Sequence, residues 1–81
     1  MNIKILGSGC IKCKELAHNV ELAVAELKLP ATIEKVTDIV EIVKYGILST
    51  PALVVDGEVV SHGRVLNPSE AERLLKSAYG N

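Results

Sequence analysis

Phenylalanine and tryptophan are missing altogether, and two tyrosines are the only aromatic residues in the chain. Without stacking surfaces there is no platform for the bases of a single-stranded nucleic acid. Charge of one sign is lacking too: nine basic and ten acidic side chains leave a formal net charge of −1. Phosphate backbones are held by clustered Lys and Arg, so nucleic acid is not an expected partner. No apolar run approaches the ~18 residues that mark a bilayer span. The opening Met-Asn-Ile-Lys leads straight into a strand-like stretch, with no basic segment followed by an apolar one and a cleavage site. The expectations are no membrane partner and a cytoplasmic location. Cysteine is scarce as well. Two residues make no disulfide framework, and in a reducing compartment such a pair is more often catalytic or metal-binding than structural.

What is present is aliphatic. Hydrophobic residues make up 48% of the chain, nearly all Val, Ile, Leu and Ala, the residues that line both faces of a buried sheet. Eighty-one residues suit one domain, spanning 1–81. A chain of this size buries only about 60% of the surface its unfolded form exposes, so the core must be compact and apolar. This composition meets that demand without a cofactor, and none is expected.

Along the chain, Ile3-Lys4-Ile5-Leu6 reads as a strand ended by Gly7-Ser8-Gly9. From Cys13 the period changes: Leu16, Val20, Ala23, Val24 and Leu27 share one helical face. Pro30 stops that helix or closely follows its end. Thr32–Val36 makes a second strand. Thr37 or Asp38 caps a second helix, with Ile39, Ile42 and Val43 expected inward and Gly46 as its stop. Ala52–Val55 and Glu58–Ser61 are strands joined by Asp56-Gly57, a strong type I′ hairpin signal. The first of them is apolar on both faces, as a central strand would be. Asn67-Pro68-Ser69-Glu70 opens a last helix with an N-cap, a proline at N1 and a glutamate reaching back. Leu74, Leu75 and Ala78 form its apolar side. The order is βαβαββα. Strand–helix–strand within 40 residues implies a parallel unit, and the hairpin adds an antiparallel pair. An α/β fold follows, with a four-stranded mixed sheet flanked by three helices.

Cys10-Ile11-Lys12-Cys13 lies where the first strand hands over to the first helix. Unpaired backbone N–H groups and the positive end of the helix dipole favour a thiolate there. Lys12 and Lys14 add positive charge, with no acid before Glu15. A thiol with a pKa of about 8.5 is only about 3% ionised at pH 7, whereas one lowered to about 7 is half ionised. That difference corresponds to ~2 kcal/mol, within reach of a helix end and flanking lysines. Cys13, about one turn on and toward the sheet, lies within disulfide reach. The pair suits thiol–disulfide exchange, in which Cys10 attacks a disulfide and Cys13 resolves the mixed disulfide. A structural bond across so short a loop would stabilise by only about 2 kcal/mol.

Paired cysteines after a first strand, with Thr50-Pro51 ahead of the third, resemble the thioredoxin superfamily. The run from Tyr45 through Thr50-Pro51-Ala52-Leu53 to Gly57 is similar to the small prokaryotic thioredoxin-like proteins sometimes called redox-active disulfide proteins. The resemblance implies a cis proline at Pro51 beside the cysteines and a Thr50 backbone that pairs with an extended substrate segment. It also implies protein disulfide substrates and a reductase or dithiol donor as partners. There are departures. Larger thioredoxins carry Trp before the first cysteine and a buried acid on the preceding strand; here Gly9 precedes Cys10, and the strand offers Lys4 and no carboxylate. Ile11-Lys12 is neither the Gly-Pro of thioredoxins nor the Pro-Tyr common in glutaredoxins, whose glutathione-holding Gly-Gly-x-Asp segment is also not evident.

The alternative is a soft-metal-binding or metal-transfer module using the same two thiolates. Small ferredoxin-like metal carriers with Cys-x-x-Cys run βαββαβ and lack the Thr-Pro. A structural zinc site needs four ligands, and the other candidates are His18 and His62. His18 lies ~140° around a helix from Cys13, and both histidines read as surface residues. No metal site is expected.

Overall fold

Strand β1 (Asn2–Leu6) leads through a glycine turn into α1 (Ile11–Leu27) and β2 (Thr32–Val36). Then follow α2 (Ile39–Val43), β3 (Ala52–Val55), β4 (Glu58–His62) and α3 (Pro68–Tyr79). This computed structural model describes residues 1–80. The sheet order is β2-β1-β3-β4, with β1 and β2 parallel and the other neighbours antiparallel. The βαβαββα order and the mixed sheet are those read from the sequence.

The pleat of β1 and β3 sorts their side chains onto two faces. Ile3, Ile5, Leu53 and Val55 pack with Leu16, Ala17, Val20 and Ala23 of α1 and with Ala71 and Leu75 of α3. Leu6, Ala52 and Val54 point the other way and meet Ile42 of α2. All four residues of β3 are buried, as expected of a strand apolar on both sides.

Local chemistry explains most boundaries. Helix α1 ends because Lys28 turns left-handed (φ 54°), with Leu29 N donating to Val24 O at 3.1 Å; Pro30 follows the stop. At the hairpin, Asp56 and Gly57 both have positive φ, 49° and 86°, as a type I′ turn requires. Asp56 Oδ1 also accepts from Asn2 N at 2.8 Å, tying the turn to the start of β1. Asn67 caps α3 through a reciprocal box with Glu70.

Two expectations about burial are corrected. Of the α2 residues expected inward, only Ile42 is buried, whereas Ile39 and Val43 are 69% and 60% exposed. The helix is five residues long, about a turn and a half, and sets one side chain against the sheet; Val36, Tyr45 and Ile47 fill in around it. It ends at Val43, three residues before Gly46, which closes the following turn at φ 73°. In α3, Ala71 and Leu75 carry the buried side, while Ala78 is exposed. Its position borders an open groove with Val55, Val60 and Leu74.

Candidate active site

The site is assembled where β1 stops. Gly7 N donates to Val36 O at 3.0 Å, continuing the pairing with β2 by one residue. Gly9 then takes φ 92°, a left-handed bend that glycine adopts without steric cost. The bend delivers Cys10 to the N-cap of α1 in extended conformation, and its carbonyl accepts the first helical bond from Lys14 N at 3.0 Å. Cys13 lies one turn in and is buried among the core residues, 5% exposed, whereas Cys10 is at the surface. Both thiols are free, and their sulfurs are 2.9 Å apart.

The Cys10 thiol is held below its ordinary pKa. The main cause is the hydrogen bond from Cys13; backbone N–H groups of the first turn, those of Cys13 and Lys12 among them, add to it. The helix-end N–H groups are those named from the sequence, and the Cys13 thiol is the partner it did not name. Lys12 and Lys14 are exposed, and the leading causes of the shift are hydrogen bonds.

The Thr50–Pro51 peptide bond is cis, as the resemblance implies. Pro51 is buried and Thr50 exposed. Pro51 O accepts from Gly63 N at 2.9 Å, and Ser49 Oγ pairs with His62 Nδ1 at 3.3 Å, so the end of β4 holds this loop from behind. An open groove of about 310 Å³, bordered by Ile39, Val43, Ile47 and Leu48, ends at Ser49 and Thr50. Lys4, on the face of β1 toward α2, is within 3.3 Å of the Tyr45 hydroxyl, which raises its pKa. The first strand therefore brings a cation and no carboxylate.

His18 and His62 are both exposed. Among the described residues no three of His, Cys, Asp and Glu gather as metal ligands would. Among the same residues no helix is long and apolar enough to cross a membrane. Gly7 is the residue that sequence reasoning missed. Read only as a strand terminator, it borders both Cys13 and Pro51, a contact with no local signature beyond a glycine three residues ahead of the first cysteine.

One surface thiol with a lowered pKa, backed by a buried thiol in contact, defines a dithiol redox centre. The profile of the thioredoxin domain family matches residues 1–76. A thioredoxin of Methanothermobacter thermautotrophicus is 39% identical over 75 residues, which cover 93% of this chain and 97% of that protein. A thioredoxin of Methanocaldococcus jannaschii is 40% identical over 75 residues, covering 93% and 86%. The chain belongs to the thioredoxin domain family and is a thiol–disulfide oxidoreductase.

Proposed function

We propose that Cys10 is the attacking residue and Cys13 the resolving one in the reduction of protein disulfides. The observation that carries this division is the unequal exposure of two sulfurs 2.9 Å apart. An incoming disulfide meets the surface sulfur first. The Cys10 thiolate displaces one sulfur of the substrate as a thiolate and is left in a mixed disulfide. Cys13 then loses its proton and attacks the Cys10 sulfur. The second substrate thiolate leaves, and the chain ends as the Cys10–Cys13 disulfide. Two electrons have passed to the substrate, and a reductase or dithiol donor returns them.

Thr50 and Pro51 are proposed as the substrate-binding residues. An exposed Thr50 beside a buried Pro51 suits an extended partner segment that pairs with the Thr50 backbone, as strand addition does elsewhere. The proposed setting is the cytoplasm, whose reducing poise keeps a dithiol available.

Insulin reduction by dithiothreitol tests the reading. Wild type accelerates it and Cys10→Ser does not, while Cys13→Ser accumulates a mixed disulfide. No acceleration by wild type, or no trapped species with Cys13→Ser, would sink the assignment. A dithiol–disulfide potential near about −270 mV marks a reductant and one near about −120 mV an oxidant.

A further inference from the structure

We propose that Gly7 is a positioning residue for the resolving step: by carrying no side chain, it leaves the space that the Cys13 sulfur occupies beside Cys10. The proposal rests on the reading of Cys13 as the resolving thiol.

Four glycines of the chain, Gly9, Gly46, Gly57 and Gly63, have positive φ. Gly7 is not among them, so its backbone conformation does not call for glycine. Its surroundings do. A β-carbon on Gly7 would sit well inside contact distance of Cys13 Sγ, at 3.1 Å from Cys13 Cβ and at 3.9 Å from Pro51 Cα. The space a side chain at position 7 would need is therefore taken by Cys13, with the proline loop at ordinary contact distance beyond.

Neither side can give way freely. Gly7 is buried and pinned to β2 by its bond to Val36 O, and Cys13 is buried in the first turn of α1, 5% exposed. A methyl group at position 7 would drive the sulfur back by about 1 Å before ordinary contact is restored. That displacement spoils the 2.9 Å approach to Cys10 Sγ. A misplacement of this size costs a reaction up to ~100-fold in rate.

The test follows the two thiols separately, using dithiobis(nitrobenzoate) at a pH alkaline enough for Cys10 to be ionised in every variant. Cys10 captures one half of the reagent and releases the first nitrothiobenzoate. Cys13 then displaces the second, its proton passing to solvent, and the Cys10–Cys13 disulfide remains. In Gly7→Ala the first release should change by no more than a few-fold and the second should slow by about 10- to 100-fold. A second release at the wild-type rate would overturn the proposal. A second release that persists in Cys13→Ser would instead remove the resolving role of Cys13, a separate failure.

A double-mutant cycle covers the case in which Gly7→Ala folds poorly. In a Cys13→Ala background only the 3.1 Å contact remains. There the urea midpoint shift caused by Gly7→Ala should fall to roughly half or less. An equal shift in both backgrounds, or loss of folding in both, would show that the cost does not come from the sulfur and would overturn the proposal.

Discussion

The sulfurs of Cys10 and Cys13 stand 2.9 Å apart, yet one is exposed and the other buried. Once Cys10 is ionised, the Cys13 thiol is the donor of that contact, and the surface thiolate is the charge it stabilises. Alkylation of Cys10 by iodoacetamide should show a midpoint below that of an ordinary thiol, about 8.5. Cys13→Ala, which removes the leading hydrogen bond, should raise it.

That depressed pKa has a signed consequence for stability. The folded chain releases the Cys10 proton more readily than the unfolded chain, so its contribution is fully present above the unfolded thiol's pKa. It is lost as the pH falls through the lower, folded value. The stability difference between wild type and Cys10→Ser, from urea unfolding of the reduced proteins, should therefore grow as the pH rises across that interval.

Glu70 provides the acid-side counterpart. Its carboxylate is held below the ordinary range chiefly by the Asn67 N–H, with Arg64 adding to it against partial desolvation. The contribution is present above the unfolded carboxylate's pKa and disappears as the pH falls through the folded one. Glu70→Gln should flatten the acid limb of the stability curve. Asn67→Ala, which removes the cap on Glu70 N, should cost about 1 kcal/mol at neutral pH in urea unfolding.

Gly63 holds the loop of Thr50 and Pro51 in place. It has φ 74°, and a β-carbon there would lie 2.5 Å from Ser49 Oγ. Gly63→Ala should lose about 1–2 kcal/mol from the left-handed backbone alone. Adding Ser49→Ala should recover only what exceeds that amount, as read from urea midpoints.

Burial separates two leucines of identical chemistry. Leu53 is fully buried at the centre of β3, and Leu53→Ala should cost about 3 kcal/mol, a large share of the stability of a domain this size. Leu48 is fully exposed, and Leu48→Ser should change stability by less than about 0.5 kcal/mol. Thermal or urea unfolding distinguishes the two outcomes.

Features with a local cause were readable from the residues alone. The Asp56-Gly57 turn, the Asn67–Glu70 box and the apolar run of β3 each rest on neighbours in sequence, and each stands as read. The cysteine pair was legible for the same reason, its spacing and its place after a strand. Helix α2 was harder, because a spacing of three and four residues names a face without saying how long the helix is or whether anything covers it. Ile39 and Val43 are exposed on that account. The N–H groups that lower the Cys10 pKa were legible as a helix start, whereas the leading partner, the Cys13 thiol, depends on how the two side chains meet. Gly7 against Cys13 is a tertiary contact between a strand end and a helix turn. Nothing in its immediate neighbours announces it.

A sheet of four strands has half its strands on the rim, and each rim strand offers ladder groups to any passing chain. The β3–β4 register slips between Leu53 and Val54 of β3: on β4 their partners are Ser61 and Val59, and one extra residue, Val60, is accommodated between them. Such an insertion bends and twists a rim strand, which makes it a poor template for edge-to-edge growth. The opposite rim, β2, carries Glu34 and Lys35 at the surface. Deleting Val60 would straighten one of these borders, and the first symptom should be concentration-dependent self-association.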